Sequence, residues 1–187
     1  MASSVHFGIG SPRFSLASDT YENALRHEAA DLLLVKYPDW RVIKVYVSSV
    51  IDASADNVWQ RIRDFNALPL WHPAIADSRI ENNEPADRVG CIRHFHTRDG
   101  GLIRERLLAL SDYDFSCTYE ILESAMGVAD YVATVKLTPI TDGNRCFAEW
   151  SAEFECAEGR ERELTDSIGG GVFQAGFDAW KRHFGRR

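Results

Sequence analysis

Residues 164–184, LTDSIGGGVFQAGFDAWKRHF, decide the fold of this chain. Their apolar side chains recur at the three- and four-residue steps of one helical face: Leu164, Ile168, Val172, Phe173, Phe177, Trp180 and Phe184. A helix over about 26 terminal residues would be about 39 Å long at a rise of roughly 1.5 Å per residue. The segment therefore predicts one amphipathic helix that crosses a whole domain, and its basic last turn suits the negative end of the helix.

Three consecutive glycines, residues 169–171, interrupt this helical pattern. Each glycine costs up to about 1 kcal/mol relative to alanine inside a helix, so we expect something to offset that cost. Two explanations are open. Either a strand or a ligand approaches the helix closely at the glycines, or the helix simply kinks there.

A strand and a short helical region begin the main part of the chain. Apolar and polar residues alternate over residues 41–51, which predicts a strand with one buried face. Ser54 then offers an oxygen to the free amides of a helix start, and helical spacing continues to Phe65. Residues 66–73 are too rich in proline to extend this helix, so a bent second helix or a loop is expected.

Six further strand patterns follow, separated by turn signals such as Asp99-Gly100-Gly101. They cover residues 77–82, 89–97, 102–110, 114–123, 131–139 and 145–156. Short loops between them make antiparallel neighbours. The sequence therefore predicts an α+β fold, in which a curved antiparallel sheet of about seven strands wraps around the long C-terminal helix.

An extension precedes the predicted sheet. Residues 1–18 lack periodicity, whereas residues 20–37 carry apolar side chains at helical spacing until Pro38 ends the pattern. We therefore divide the chain into residues 1–39, an N-terminal extension with one helix, and residues 40–187, the main domain. The helix either packs on the outside of the domain or mediates self-association, which leaves a homodimer open.

Charge and composition argue against several classes of partner. The formal net charge is −7 and the chain has no extended basic cluster, so nucleic acid is not expected to bind. No apolar run approaches the roughly 20 residues that span a bilayer, and no signal-peptide core occurs near the N-terminus. We expect a soluble cytoplasmic protein with no membrane span.

Motifs for cofactor or metal chemistry are also lacking. The sequence has neither a phosphate-binding loop after a strand nor the Gly-x-Ser-x-Gly of serine hydrolases, so we expect no cofactor. The four cysteines lack CxxC spacing and are expected to act as small hydrophobes. His94 and His96 share one face of a strand, but no third ligand is indicated, so we expect an exposed basic pair and no metal site.

Several short strings, in their order and spacing, resemble the START/Bet v 1-like (SRPBCC) helix-grip superfamily, in particular its polyketide cyclase/dehydrase and lipid-transport branch. They are Asp52-Ala53-Ser54-Ala55 with Val58-Trp59, Asp64-Phe65-Asn66, Trp71-His72-Pro73, Val89-Gly90-Cys91-Ile92-Arg93, Glu105-Arg106-Leu107, Asp130-Tyr131, Glu149-Trp150 with Phe154, and Gly171-Val172-Phe173-Gln174 with Trp180. The resemblance covers roughly residues 42–184. It implies that residues 40–187 form a domain that binds or carries a hydrophobic small molecule (polyketide-like, lipid or isoprenoid) in an internal cavity. The alternative is a polyketide cyclase or dehydratase that uses acid–base residues of the cavity.

The resemblance also implies which side chains face the interior. The implied ligand-binding residues are Phe95, Tyr119, Ile121, Tyr131, Trp150, Phe154, Val172, Gly176 and Phe177. Arg93, Ile103, Glu105 and Ala133 share that inner face, whereas His94, His96, Arg104 and Arg106 fall on the outer one. For Arg93 and Glu105 to share a face, the turn near Asp99 must contain an odd number of residues.

Three residues are candidates for acid–base catalysis. In an apolar interior Glu105 could accept from a ligand hydroxyl or transfer a proton, and Arg93 could hold a carboxylate or enolate oxygen. The alternative for this pair is an internal salt bridge that fixes strand register without touching a ligand. His72 lies near the expected mouth of the cavity and is either a proton-transfer group or a cap and packing residue at a helix end.

Overall fold

The computed structural model describes residues 40–185, so the predicted N-terminal helix lies outside the described residues. Strand β1 (Trp40–Ile51) is followed by helices α1 (Ala55–Ile62) and α2 (Leu68–Trp71). The other strands are β2 (Ile75–Ile80), β3 (Ile92–Thr97), β4 (Leu102–Ser111), β5 (Ser116–Ser124), β6 (Val128–Ile140) and β7 (Arg145–Ala157). The C-terminal helix consists of α3 (Glu161–Asp166), a π-helical segment (Ser167–Gln174) and α4 (Ala175–Phe184).

Within residues 40–185, seven strands form one curved antiparallel sheet in the order β1-β7-β6-β5-β4-β3-β2. Every pair of neighbours except β1 and β7 is consecutive in sequence, as expected for a meander joined by short loops. The long C-terminal helix packs against this sheet. The predicted helix-grip α+β fold is therefore confirmed.

Three predicted strands extend past the observed ends, in each case towards a residue in the left-handed backbone region. The strand expected from residue 89 begins at Ile92, after Gly90 with φ 94°. The strand expected from residue 114 begins at Ser116, after Phe115 with φ 49°. The strand expected to reach residue 82 ends at Ile80, because Asn82 has φ 56°. Regular extended backbone has negative φ, and each of the three observed strands excludes the residue with positive φ.

The short helices follow the predicted capping. Ser54 Oγ accepts a hydrogen bond from the backbone N–H of Asn57 at 3.3 Å, which confirms Ser54 as the N-cap of α1. The proline-rich stretch that follows forms α2, with Pro69 in its first turn and His72 at its C-cap. Of the two alternatives for that stretch, a second helix is therefore the observed one.

The glycine triplet lies in the π-helical segment. A Cβ atom added to Gly169 would lie 3.4 Å from Cγ1 of Val45 in β1, so a strand approaches the helix closely at this position. A Cβ atom on Gly170 or Gly171 would meet no atom of residues 40–185 within 4 Å. Close approach of a strand therefore explains the first glycine only, and the wider π-helical turn is what interrupts the regular helix.

The core fills the space between the sheet and the C-terminal helix. Trp150 of β7 stacks on Phe173 of the helix, with ring centroids 4.7 Å apart, and Phe177 and Trp180 extend this cluster. All four cysteines are free and buried, in agreement with their expected behaviour as small hydrophobes. None of the helices within residues 40–185 is both long enough and apolar enough to cross a membrane.

Candidate functional site

Arg93 of β3 and Glu105 of β4 lie directly opposite each other in the sheet. The turn that joins the two strands closes with a hydrogen bond from the Thr97 N–H to the Gly101 carbonyl at 2.8 Å, and it encloses three residues. An odd turn keeps both side chains on the inner face, as predicted. His94, which follows Arg93, and Arg104, which precedes Glu105, also pair with each other, and both fall on the outer face.

The ion pair is almost completely buried, with 5% of each residue exposed. Arg93 Nε donates to Glu105 Oε2 at 2.6 Å, and Arg93 Nη1 donates to the Phe65 carbonyl at 2.7 Å. The guanidinium carbon lies 3.9 Å from the centroid of the Phe65 ring, in cation–π geometry. Arg93 thus joins the sheet to the segment between α1 and α2.

Burial changes the protonation chemistry of Glu105. Loss of solvation raises the pKa of its carboxyl group above the ordinary value, and the charge and hydrogen bond of Arg93 oppose that rise. Taking both ions out of water costs several kcal/mol, which good geometry only partly offsets. The pair is therefore a site where a proton or a polar ligand group would have a large energetic effect.

Two buried tyrosines flank the pair on the inner face. Tyr119 accepts a hydrogen bond from the indole Nε1 of Trp150 at 3.0 Å, and Tyr131 stacks on Phe154 with centroids 5.6 Å apart. Burial raises the pKa of both phenols well above the ordinary value. Both side chains therefore remain neutral at physiological pH and present hydroxyl groups to an otherwise apolar interior.

His72 links helix α2 to the C-terminal helix. Its Nδ1 accepts from the Ala74 N–H at 3.3 Å, so the proton is on Nε2, which donates to the Val172 carbonyl at 3.0 Å. Desolvation by burial lowers the pKa of the imidazole below 6.5, and the nearby charge of Arg93 adds to this effect. The ring is neutral, and its two nitrogens bond to backbone groups, which is the arrangement that a packing role at a helix end requires.

A cavity of about 570 Å³ opens where three loops meet the π-helical segment, and we call it the mouth cavity. Its lining is mostly apolar, with a few polar residues: Pro73, Ala74, Thr97, Arg98, Asp99, Gly101, Leu102, Ile103, Ala125, Met126, Ser167, Gly171 and Val172. The volume falls within the range of roughly 300 to 1,000 Å³ that is usual for small-molecule pockets.

The mouth cavity lies close to the buried ion pair. Ile103 lines the cavity and precedes Glu105 by two residues on the same face of β4, and Phe95 lies opposite Ile103. Two residues along a strand correspond to roughly 6.6 Å. Phe95 and Ile103 therefore stand between the cavity and the ion pair.

Of the nine predicted ligand-binding residues, Val172 lines the mouth cavity. Ile121 is half-buried and packs against the core. The other seven are buried: Phe95, Tyr119, Tyr131, Trp150, Phe154, Gly176 and Phe177. Their roles in ligand binding remain predictions.

Other wall residues were not identified from the sequence. Ala74, Leu102 and Met126 lie in or beside loops, and Gly171 is in the π-helical segment. An available signal was the presence of apolar side chains beside turn glycines, since Leu102 follows Gly101 and Met126 precedes Gly127.

A sheet that curves around a C-terminal helix, with a cavity at the open end, defines a helix-grip protein with the architecture of a ligand-binding domain. The family described as "polyketide cyclase / dehydrase and lipid transport" matches residues 42–185, and the chain belongs to this family. No sequence among curated proteins matches the chain.

Solved structures agree with this assignment. The protein XoxI from Bacillus cereus is 30% identical, with a TM-score of 0.69 over 77% of this chain and 96% of that one. Truncated norcoclaurine synthase from Thalictrum flavum (18% identity, TM-score 0.63, 80% of this chain and 97% of that one) shares the fold. So does major latex-like protein 151 from Panax ginseng, at 15% identity and a TM-score of 0.63, over 76% of this chain and 97% of that one.

Proposed function

We propose that the protein binds or carries a hydrophobic small molecule, of the polyketide-like, lipid or isoprenoid class, in the mouth cavity. The observation that carries this proposal is the mostly apolar lining of a 570 Å³ space next to the π-helical segment. Apolar surface gains roughly 25 cal/mol for each Å² removed from water, so such walls favour an apolar ligand over a polar one. Membership of a family that includes lipid transport supports the same class.

The position of the cavity also supports binding. Its walls come from the segment after α2, the β3–β4 turn, the β5–β6 turn and the C-terminal helix. Loops adjust more easily than strands, so they admit a ligand without disturbing the sheet. Thr97, Arg98 and Asp99 place polar groups on the β3–β4 turn, which suits a ligand with one polar end.

Two neighbouring glycines allow a direct test. A side chain at Gly171 would project from a wall of the cavity, whereas Gly170 is outside the lining. At neither position does an added Cβ lie within 4 Å of an atom in the described part of the chain. Gly171→Leu should therefore fill the cavity, and Gly170→Leu is the matched control. Native mass spectrometry after incubation with a lipid extract should show added mass on the wild-type and Gly170→Leu proteins. The Gly171→Leu protein should show none, because its cavity is filled. Added mass on none of the three proteins, or equally on all three, would refute binding in this cavity.

An enzymatic role is the second candidate, favoured by the raised pKa of Glu105. A raised pKa brings a carboxyl group closer to the range in which it can donate a proton as a general acid, and Arg93 would stabilise negative charge on an enolate oxygen. This role requires the ligand to move past Phe95 and Ile103 to reach the pair. The protein would then be a cyclase or dehydratase acting on a reactive chain held in the cavity.

Glu105→Gln distinguishes the two candidates, because it keeps the shape of the side chain and removes the titratable proton. With a polyketide-type substrate, an enzyme should lose turnover in this variant while the added mass in native spectra persists. Turnover that does not change would remove Glu105 from the mechanism. If the wild-type protein retains the ligand but shows no turnover, binding or carriage would be the function that is left.

A further inference from the structure

A second cavity lies near the C-terminal end of the long helix. It encloses about 300 Å³, and its walls include Arg61, Trp71, Trp180, Arg182, His183 and Phe184. The mouth cavity meets the helix at residues 167–172, whereas this cavity meets it at residues 179–184. The midpoints of these two contact regions are roughly 18 Å apart along the helix axis, at 1.5 Å per residue. We call the second space the basic cavity.

We propose that the basic cavity binds a small organic anion with a planar apolar body, such as an aromatic carboxylate. The anionic group pairs with Arg61 and Arg182, and the planar body packs on Trp71 and Phe184, next to the buried Trp180. This site is separate from the mouth cavity and adds a second ligand class to the protein.

The charge distribution supports an anion. Nine of the thirteen arginines within residues 40–185 form an ion pair with a carboxylate. Arg61 and Arg182 are outside that group, and the described residues that line the basic cavity include no Asp or Glu. In a chain of net charge −7, two arginines in one cavity that form no ion pair with a carboxylate of residues 40–185 are a specific feature.

One of these arginines is already oriented. Arg61 Nη2 donates to the Leu70 carbonyl at 2.7 Å, and Leu70 also lines the cavity. This bond uses one of the five N–H groups of the guanidinium and holds the others at the wall. Less side-chain entropy is then lost when an anion binds, which strengthens the interaction.

The aromatic walls supply the second half of the site. The rings of Trp71 and Trp180 are 5.2 Å apart, and their indole N–H groups are buried without an acceptor in the described part of the chain. Trp59 and Trp150, in contrast, donate to Asp112 and Tyr119. Buried donors in proteins are nearly always hydrogen-bonded, so two exceptions beside one cavity are notable. A ligand oxygen that reached either N–H would supply an acceptor.

The helix dipole alone does not explain this arrangement. Basic residues in the last turn of a helix stabilise its negative end, which is sufficient for Lys181, Arg182 and His183. It does not require that Arg61, on α1, line the same cavity, nor that aromatic rings form its walls. Convergence of cations from two helices on one aromatic space is typical of a binding site.

The test uses the full chain, with 2-naphthoate as the anionic probe and 2-naphthalenemethanol as its neutral counterpart. Calorimetry should show that naphthoate binds at least about tenfold more tightly than the alcohol, because a charge-assisted pair is added. Arg61→Gln and Arg182→Gln should each weaken naphthoate binding by about tenfold or more. Arg98→Gln is the matched control, since Arg98 lines the mouth cavity and also lacks a carboxylate partner within residues 40–185.

A spectroscopic readout locates the probe independently of affinity. In ¹H–¹⁵N spectra, the indole N–H signals of Trp71 and Trp180, assigned with the Trp71→Phe and Trp180→Phe variants, should shift on addition of naphthoate. Those of Trp59 and Trp150 should shift much less. Gly171→Leu should leave these shifts unchanged, so a failure of the mouth cavity to bind lipid does not affect the result. The proposal would be overturned if naphthoate did not bind at millimolar concentration, or if the alcohol bound with equal affinity. It would also be overturned if Arg98→Gln were the only arginine variant that weakened naphthoate binding.

Discussion

His72 Nε2 donates a hydrogen bond to the Val172 carbonyl across 3.0 Å, and this bond ties the two sides of the mouth cavity together. Pro73 and Ala74 follow His72 in one wall, and Val172 belongs to the other. The carbonyl lies in the π-helical segment, where the regular helical hydrogen-bond pattern is interrupted. Protonation of Nδ1 would remove the bond that this atom accepts from the Ala74 N–H, so the wall formed by Pro73 and Ala74 depends on the protonation state of one buried imidazole.

The first prediction concerns pH. Because the pKa of His72 is lowered from 6.5 in the folded chain, folding favours the neutral ring. The stabilisation is complete above about pH 6.5 and is lost as the pH falls towards the folded-state pKa, with a slope of up to about 1.4 kcal/mol per pH unit. His72→Gln keeps a donor and an acceptor but does not titrate, so this part of the pH dependence should disappear.

Urea unfolding of the wild type and of His72→Gln between about pH 5 and about pH 8 checks this expectation. Parallel curves for the wild type and His72→Gln would show that His72 does not couple folding to pH.

The second prediction concerns the buried ion pair. Glu105→Leu leaves Arg93 charged and unpaired, which should cost about 3–5 kcal/mol. Arg93→Met leaves a carboxyl group that can take up a proton, so its cost should be smaller, about 1–3 kcal/mol near pH 5. Since the pKa of this carboxyl is raised in the fold, stability of Arg93→Met should fall further as the pH rises.

Chemical denaturation of both single variants and of the Arg93→Met/Glu105→Leu double variant tests the asymmetry. The double variant should recover most of the loss, because neither ion remains buried. Equal and pH-independent losses in the single variants would contradict the account of Glu105.

The third prediction compares two glycines of the same helix. A Cβ atom at Gly176 would lie 3.0 Å from Trp150 Cζ3 and 3.3 Å from His72 Cδ2, whereas Gly170 has open space. Gly170→Ala should therefore stabilise the protein by up to about 1 kcal/mol through helix propensity. Gly176→Ala should lose about 1–3 kcal/mol through overpacking. Thermal unfolding of both variants measures the difference, and stabilisation by both would mean that Trp150 is not tightly packed.

The fourth prediction concerns the hydroxyl group of Tyr119. Tyr119→Phe removes the acceptor for Trp150 Nε1, and an unsatisfied buried N–H costs about 1–3 kcal/mol. Trp150→Phe in the same background should then recover part of the loss if its smaller ring is accommodated. A double-mutant cycle by urea unfolding gives the coupling energy, and a value near zero would show that the bond contributes nothing to stability.

Periodicity and turn chemistry were sufficient for much of the fold. The shared face of Arg93 and Glu105 followed from alternation in β3 and β4 and from an odd turn, both of which are local properties. The start of β6 was missed, because Asp130 has φ 49° and a bulge between Ala129 and Val132 hides the alternation there.

The site depends on contacts between distant segments, which local patterns do not encode. Ala74, Leu102, Met126 and Gly171 line the same cavity although they are separated in sequence. The hydrogen bond from His72 to the Val172 carbonyl was also not predictable. From the sequence alone, the π-helical segment that contains this carbonyl cannot be told apart from a simple helix kink.

Nuclear Overhauser contacts between the protein and a retained ligand test the central claim most directly. A hydrophobic compound bound as proposed should give contacts to the methyl group of Met126 and to those of Val172, which line the mouth cavity. The Gly171→Leu variant should lose these contacts, and Gly170→Leu should keep them. Contacts confined to the outer face of the sheet, for example to Tyr46 and Val132, would contradict an interior site.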